Sequence, residues 1–418
     1  MLNQIFRLHD IPSDHHSNFK HLYFDIAWFG LLSGSAVNFL SVYITRIGGT
    51  GFEIGLISAM SAVVNLVLAI PAGKWLEKRD TSKAIFWTSV VYRIGFFPFI
   101  VLPILLSEES QIAAFILLTF FMSIPLTPLG VGFNALFAEV VPVEYRAHVA
   151  GIRNIMFALA YMLSSVASGY LLDTVSFPLG YQIVFAAGAI GAAMSSYHLY
   201  FVAPMHKGQT PPPPSIQPAS PAPASSAARN FLSALRFDIW RSPFRNVLIG
   251  LFAFHASQYL PTPLFPLYNI RVLGLNDNNI GIGTALFYLT VLLGSTQLRR
   301  MAHRVGNKVV TGWSAALMAL YPLLLAGSTN VWQYYGISLI GGWNLAMVSG
   351  VYANYMLDHI PPDDRQAHLA WYNIILNASI LIGSLGGPVL GELMGLSAAL
   401  LLIAVLRFLA GILILKWG

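Results

Sequence analysis

Apolar stretches of about twenty residues recur along the whole 418-residue chain. A helix needs about 20 residues to cross the hydrocarbon layer of a bilayer. In lipid no water satisfies backbone groups, so each stretch must close its own hydrogen bonds as a helix. The spans read as 23–46, 53–75, 83–106, 111–139, 147–172, 178–204, 244–270, 278–298, 308–328, 331–357, 366–391 and 396–417. That is six helices, a gap, and six more. The expected fold class is all-α and polytopic, with twelve transmembrane helices.

Only 10% of the residues are charged, where a soluble globular chain carries roughly 25%. The surface therefore faces something other than water, and membrane lipid is the expected surrounding. The chain has no cysteine, which excludes disulfides, thiolate metal sites and cysteine nucleophiles. No glycine-rich phosphate loop and no metal-ligating histidine spacing is found, so no cofactor, no metal and no enzymatic reaction is expected.

The organisation follows from composition. Residues 1–22 are polar and read as a cytoplasmic extension. The apolar stretch after them is too long for a cleavable signal. Residues 23–204 hold the first six helices and 244–418 the last six. Between them, 205–243 begins with Pro211 to Pro214, Pro218, Pro221 and Pro223, a composition that favours an extended linker. Its end, 231–243, is amphipathic, and reads either as a surface segment or as a lead-in to the seventh helix.

The net charge of +6 is explained by placement. With the N-terminus inside, 19 of the 23 Lys and Arg fall in or beside cytoplasmic segments. Only Arg46 and Arg271 lie outside, and Arg93 and Arg407 lie within spans. This bias sets the orientation by the positive-inside rule, with both termini cytoplasmic. No nucleic-acid partner is expected.

The second half repeats the first. At an offset of 219 residues, Glu139 meets Asp358, Arg146 meets Arg365, Asn154 meets Asn373, Ser165 meets Ser384 and Asp173 meets Glu392. Offsets of 225 and 226 pair Tyr43 with Tyr268, Arg46 with Arg271, and Gly55 with Gly281. Two six-helix halves in the same orientation imply parallel repeats about an axis along the membrane normal.

The turn between the second and third spans carries Gly73, Glu77, Lys78 and Arg79, with Asp80 and Lys83 after them. It resembles the loop pattern Gly-x-x-x-Asp-Arg-x-Gly-Arg-Arg/Lys of the major facilitator superfamily. The second glycine is replaced by Asp80 and the next Arg by Thr81. The turn at His303 to Lys308 repeats only the basic half. A second pattern of that family, Gly-x-x-x-Gly-Pro-x-x-Gly, stands at Gly383 to Gly391, in the eleventh span instead of the fifth. Antiport is left open, since small residues also serve close helix packing. The resemblance implies two pseudo-symmetric six-helix bundles and a secondary transporter working by a rocker-switch. It implies a cytoplasmic latch that holds the outward-open state, here Gly73, Glu77, Lys78, Arg79, Glu139, Arg146, Asp358 and Arg365. Ordinary positive-inside anchoring is the alternative for these residues.

Polar groups inside a membrane are costly without partners, so they are the functional candidates. On the seventh span, His255, Gln258, Tyr259 and Thr262 share one helix face, and Pro261, Pro263 and Pro266 interrupt it. Prolines there free backbone carbonyls and permit bending. Trp343, Asn344 and Tyr352 on the tenth span, Asn377 on the eleventh, Asn38 on the first and Asn65 on the second complete the expected substrate path. Arg93 and Arg407 read either as clamps for an anion or as structural groups bound to carbonyls or to Asp25. No acid is expected mid-span, so proton coupling through a midplane carboxylate is not expected. The expected partner is a small solute, neutral or amphipathic, with an organic anion or drug as the alternative. A membrane sensor or assembly factor and a channel stand as other classes. A monomer in a plasma membrane, the inner membrane of a bacterium, is expected.

Overall fold

The computed structural model describes residues 13–203, 236–361 and 364–418, so most of the Pro-rich linker lies outside the described residues. Described residues fall into helices at all twelve expected positions, with no strand among them. The first six are α1 (His15–Arg46), α2 (Gly51–Leu76), α3 (Thr81–Leu105), α4 (Glu108–Val140), α5 (Val143–Thr174) and α6 (Leu179–Tyr200). Then comes a short turn, Phe237–Arg241. It is followed by α7, which runs Phe244–Tyr259 and resumes as Leu264–Leu267 and Tyr268–Val272. The last are α8 (Asp277–Ser295), α9 (Asn307–Ala326), α10 (Val331–Leu357), α11 (Arg365–Met394) and α12 (Leu396–Trp417).

Ten of these helices are long and apolar enough to cross a membrane. The other two are α7, which is broken at its prolines, and α8, which opens on Asp277, Asn278 and Asn279. The helix of α1 starts earlier than the span at 23. Phe19 and Leu22 are fully buried, and Asn18 bonds the backbone of Ala203 in both directions (2.8 and 3.2 Å). The added turns are held because they have a partner at the end of α6.

Helix packing follows small residues, as it must where lipid removes the hydrophobic drive between helices. A Cβ on Gly30 or Gly34 would strike α5, and one on Gly188 or Gly191 would strike α1. In the second half, Gly383 and Gly387 of α11 lie against Tyr259 and Leu260 of α7. The Gly383 to Gly391 pattern therefore packs α11 on α7.

Between the halves, α2 packs on α11 and α5 packs on α8. The closest approaches are reciprocal. A Cβ on Gly55 of α2 would meet the carbonyl oxygen of Ser384 on α11, and a Cβ on Gly281 of α8 would meet that of Ser165 on α5. These are the residue pairs that the repeat relates, Gly55 with Gly281 and Ser165 with Ser384. The same contact is therefore built twice about a pseudo-twofold axis.

Candidate functional site

The site region starts from an interruption in the first helix of each half. In α7 Pro261 has no N–H, so the carbonyl of Ser257 loses its helical donor. Thr262 N–H donates to Tyr259 instead of to Gln258, which frees a second carbonyl. Arg407 of α12 takes up both. Its Nε donates to Ser257 O (3.2 Å) and its Nη2 to Gln258 O (3.0 Å). Its Nη1 donates to Met318 O of α9 (3.1 Å), a carbonyl whose own helical donor position is Pro322. Three carbonyls at helix interruptions thus satisfy one guanidinium, which is buried at 3% exposure; Met318 O keeps only a long bond from the Tyr321 N–H (3.4 Å) besides. This is the structural reading of Arg407.

In α1 the equivalent region, Ser33–Val37, is a π-helical turn. There hydroxyls replace the arginine. Ser35 Oγ (2.6 Å) and Ser164 Oγ (3.0 Å) both donate to Leu31 O.

Around the α7 break, His255 is buried and its Nε2 lies 3.2 Å from the hydroxyl of Tyr372 on α11. Tyr352 of α10 stands edge-on to the His255 ring (5.6 Å between centroids), and the Tyr352 and Tyr372 rings are 6.3 Å apart. The structure therefore joins the expected His255 and Tyr352, and adds Tyr372. An aromatic seven residues into a helix reads from sequence as an interface residue, so nothing there singled it out. Gln258 and Tyr259 are half-buried, and Thr262 is exposed with its hydroxyl on Gln258 O (3.3 Å). Asn344 turns away from this cluster, donating to Leu317 O of α9 (3.1 Å). Trp343 beside it is 39% exposed. Asn377 is buried and donates to its own helix at Asn373 O (2.8 Å).

In the first half, Asn38 links α1 to α5. Its Oδ1 accepts from Tyr161 (3.3 Å) and its Nδ2 donates to Ser165 (3.4 Å), which itself donates to Gly281 O across the halves (3.2 Å). Tyr161 stacks on Tyr288 of α8 at 4.0 Å. Asn65 meets Thr127 of α4 (2.7 Å) beside a cavity of about 300 Å³.

At the Arg46 end, ion pairs and carbonyls tie the halves together. Arg46 donates to Asp277 Oδ1 from Nη2 (3.0 Å) and Nε (3.2 Å), and to Leu275 O (2.8 Å). Tyr181 donates to Asp277 Oδ2 (2.9 Å), and the Asp277 N–H donates to Asp173 (3.1 Å). Its repeat mate Arg271 reaches back to Gly49 O (2.7 Å). Each half thus sends one arginine to the loop of the other. These bonds, with that of Ser165 to Gly281, lie on residues 46–49, 165–181 and 271–281.

At the opposite end, near residues 73–83, every contact described for the expected latch stays within its own half. Thr81 donates to Glu139 (3.0 Å), Arg146 to Ala138 O (2.7 Å) and Val141 O (3.0 Å), and Asn307 to Asp358 (2.7 Å). Arg79 lies over Trp75 at 4.6 Å. Glu77, Lys78 and Arg365 are exposed, and Gly73 has open space where a Cβ would stand.

Deeper on that side lies a cluster that the sequence showed only in part. Asp25 is 3% exposed. It faces Arg93 (3.6 Å), as one reading of Arg93 expected, and also Arg153 of α5 (3.3 Å) and Ser195 (2.5 Å). Arg153 also donates to Leu22 O (2.7 Å) and lies over Phe133 at 4.7 Å. Counting Arg153 with the cytoplasmic bases is therefore corrected. It is buried ten residues into α5, because an acid and a carbonyl of α1 are there to receive it.

The profile described as Major Facilitator Superfamily matches residues 26–282 and 247–418. A "Cis,cis-muconate transport protein" of Acinetobacter baylyi is 24% identical over 310 residues, 72% of each chain. A "Staphyloferrin B transporter" of Staphylococcus aureus is 27% identical over 176 residues, 41% of this chain and 42% of that one. The crystal structure of the nucleoside transporter NupG superimposes with a TM-score of 0.67 at 12% identity, covering 97% of this chain and 100% of that one. The structure of a mutant of that transporter gives 0.71, covering 96% and 99%. With the all-helical fold, the reciprocal packing of its halves and a profile matching nearly the whole chain, this membrane protein belongs to the major facilitator superfamily.

Proposed function

We propose that the chain carries a small solute across a plasma membrane by alternating access, the two halves rocking about a path between them. The observation that carries this reading is the one-sided, reciprocal contact of the halves. Gly55 on Ser384 and Gly281 on Ser165 would act as paired pivots, while the Arg46–Asp277 and Arg271–Gly49 bonds, among the described residues, close the path at one end only. By the positive-inside rule that end is the outer one, so this arrangement is the inward-open state. The latch residues at the 73–83 end then belong to the outward-open state, where they would meet across the halves. His255, Gln258 and Tyr372, beside the α7 break, form the part of the path that belongs to the second half.

Reconstituted counterflow with a panel of solutes tests this directly. A carrier gives saturable uptake that is accelerated by solute on the far side, and H255A and Q258A weaken it. Flux without saturation or trans-acceleration overturns alternating access. Unchanged kinetics in both variants overturn the assignment of those residues. Carriage of an organic anion is the second reading. It is favoured by Arg93 and Arg153 sharing the single Asp25, and by relatives described as carrying cis,cis-muconate and staphyloferrin B.

A further inference from the structure

We infer that the cavity inside the first half, beside Asn65, is a binding subsite for an uncharged, hydroxyl-bearing single-ring solute. This rests on the carrier reading and deepens it, by naming a subsite and a chemical class. The cavity holds about 300 Å³, the small end of the roughly 300–1,000 Å³ range of ligand pockets. It admits one ring, not two. Its wall is built by α1 to α4, and only Ile380 of α11 reaches it from the second half. Val37 at that junction is 47% exposed, so the cavity meets the path between the halves. Ser58, Ser61 and Asn65 lie seven to fourteen residues in from Gly51, about 10–21 Å of helix rise, near the membrane centre.

The chemistry follows from where the hydroxyl protons already go. Thr119 Oγ1 donates to Phe115 O (2.8 Å). Ser123 Oγ donates to Thr119 O (2.7 Å), so in its 2.6 Å contact with Ser61 the proton comes from Ser61. Ser61 and Thr119 therefore face the cavity as acceptors only. Asn65 meets Thr127, outside the lining, with one end of its amide, which leaves the other end for the cavity. Ser58 has no hydrogen-bond partner among the described residues. A ligand must supply O–H donors to Ser61 and Thr119, and a group that can pair with Asn65 and Ser58. Hydroxyls do both. A carboxylate, which only accepts, would set its oxygens against the lone pairs of Ser61 and Thr119. No charged side chain lines the cavity to offset that cost. Tyr92, Phe96 and Phe99 form the apolar wall against which a ring face packs.

The chain has no cysteine, so S58C carries a single thiol at the cavity wall. The full-length variant, in detergent, is labelled with N-ethylmaleimide in the presence of a hexopyranose, a cyclitol, a phenol or a six-carbon dicarboxylate. V37C, at the mouth, repeats the measurement in case S58C does not fold. The same solutes are run in counterflow with the unaltered chain. The expected result is labelling slowed at least tenfold by one of the hydroxylated rings, which also exchanges, and unchanged by the dicarboxylate. Exchange of a solute that leaves labelling unchanged at both positions overturns the subsite and leaves alternating access standing. Protection by the dicarboxylate alone overturns the chemical class. Absence of both exchange and protection overturns the subsite together with the carrier reading on which it rests.

Discussion

Asp277→Asn removes the charge that holds the Arg46 end closed while keeping the shape of the side chain. In the closed arrangement Asp277 accepts two bonds from Arg46 and one from Tyr181. A hydrogen bond to a charged group contributes about 1.5–3 kcal/mol. The Arg46 side chain is 29% exposed, so water screens the pair and the low end applies, about 1.5 kcal/mol. Arg46 and Asp277 lie in opposite halves, so this free energy favours only the state in which that end is shut. Its loss shifts the equilibrium towards opening by about tenfold. Spin labels at L179C and W332C, on exposed residues at that end of each half, read the separation directly. The ratio of short to long distances is expected to fall about tenfold in D277N. Labels at K78C and H303C, at the other end, are expected to shift towards shorter distances. A folded D277N whose two distributions match the parent would refute the reasoning, because the pair would then contribute nothing to which end is closed.

The remaining expectations concern packing and anchoring. R407M leaves the carbonyl of Ser257 without a donor, at about 1–3 kcal/mol, and leaves those of Gln258 and Met318 with only their long bonds from the Thr262 hydroxyl (3.3 Å) and the Tyr321 N–H (3.4 Å); it should lower the unfolding temperature. P261A restores an N–H for Ser257 O, so the double variant R407M/P261A should lose less than the sum of the two single variants; strict additivity in thermal unfolding would count against the coupling. G55A and G281A each place a Cβ against a carbonyl of the other half, and should weaken the closed end to a similar degree, seen as the same lengthening of the L179C–W332C distance. At the surface of the other end, Arg236 binds Asp238 (2.8 Å) and Asp364 (3.0 Å), tying the Phe237–Arg241 turn to the start of α11. The hydrogen bond from Arg236 holds the Asp238 carboxyl below its usual range. A depressed carboxylate stabilises above its unfolded pKa and stops doing so as pH falls through the folded value. Protection of the Phe237–Arg241 amides, measured as hydrogen exchange relative to the free-chain rate at the same pH, should therefore fall only in strongly acidic buffer, and more gently at high salt; lost protection already at neutral pH would speak against this anchor.

The membrane class, the helix positions and the repeat were legible in the residues, because twenty apolar residues in lipid have one backbone solution. The repeat even named the residues of the closest contacts between the halves, pairing Gly55 with Gly281 and Ser165 with Ser384. It left open that each glycine meets the serine of the opposite half, since an offset relates positions and carries no distance. Arg93 with Asp25 and Arg407 with carbonyls were among the readings open from sequence. Arg153 was not, because ten residues from a helix start a long cation can reach water, and only the acid of α1 placed beside it makes burial the better state. Tyr372 and the cavity beside Asn65 were equally hidden. An aromatic ring seven residues into a helix looks like a membrane-interface residue until a histidine from another helix faces it. A void belongs to no residue, being the space that α1 to α4 leave between them. Local burial requirements thus determined the helices, while the approach of helices far apart in the chain decided which polar groups pair, at which end the halves meet and where a cavity remains.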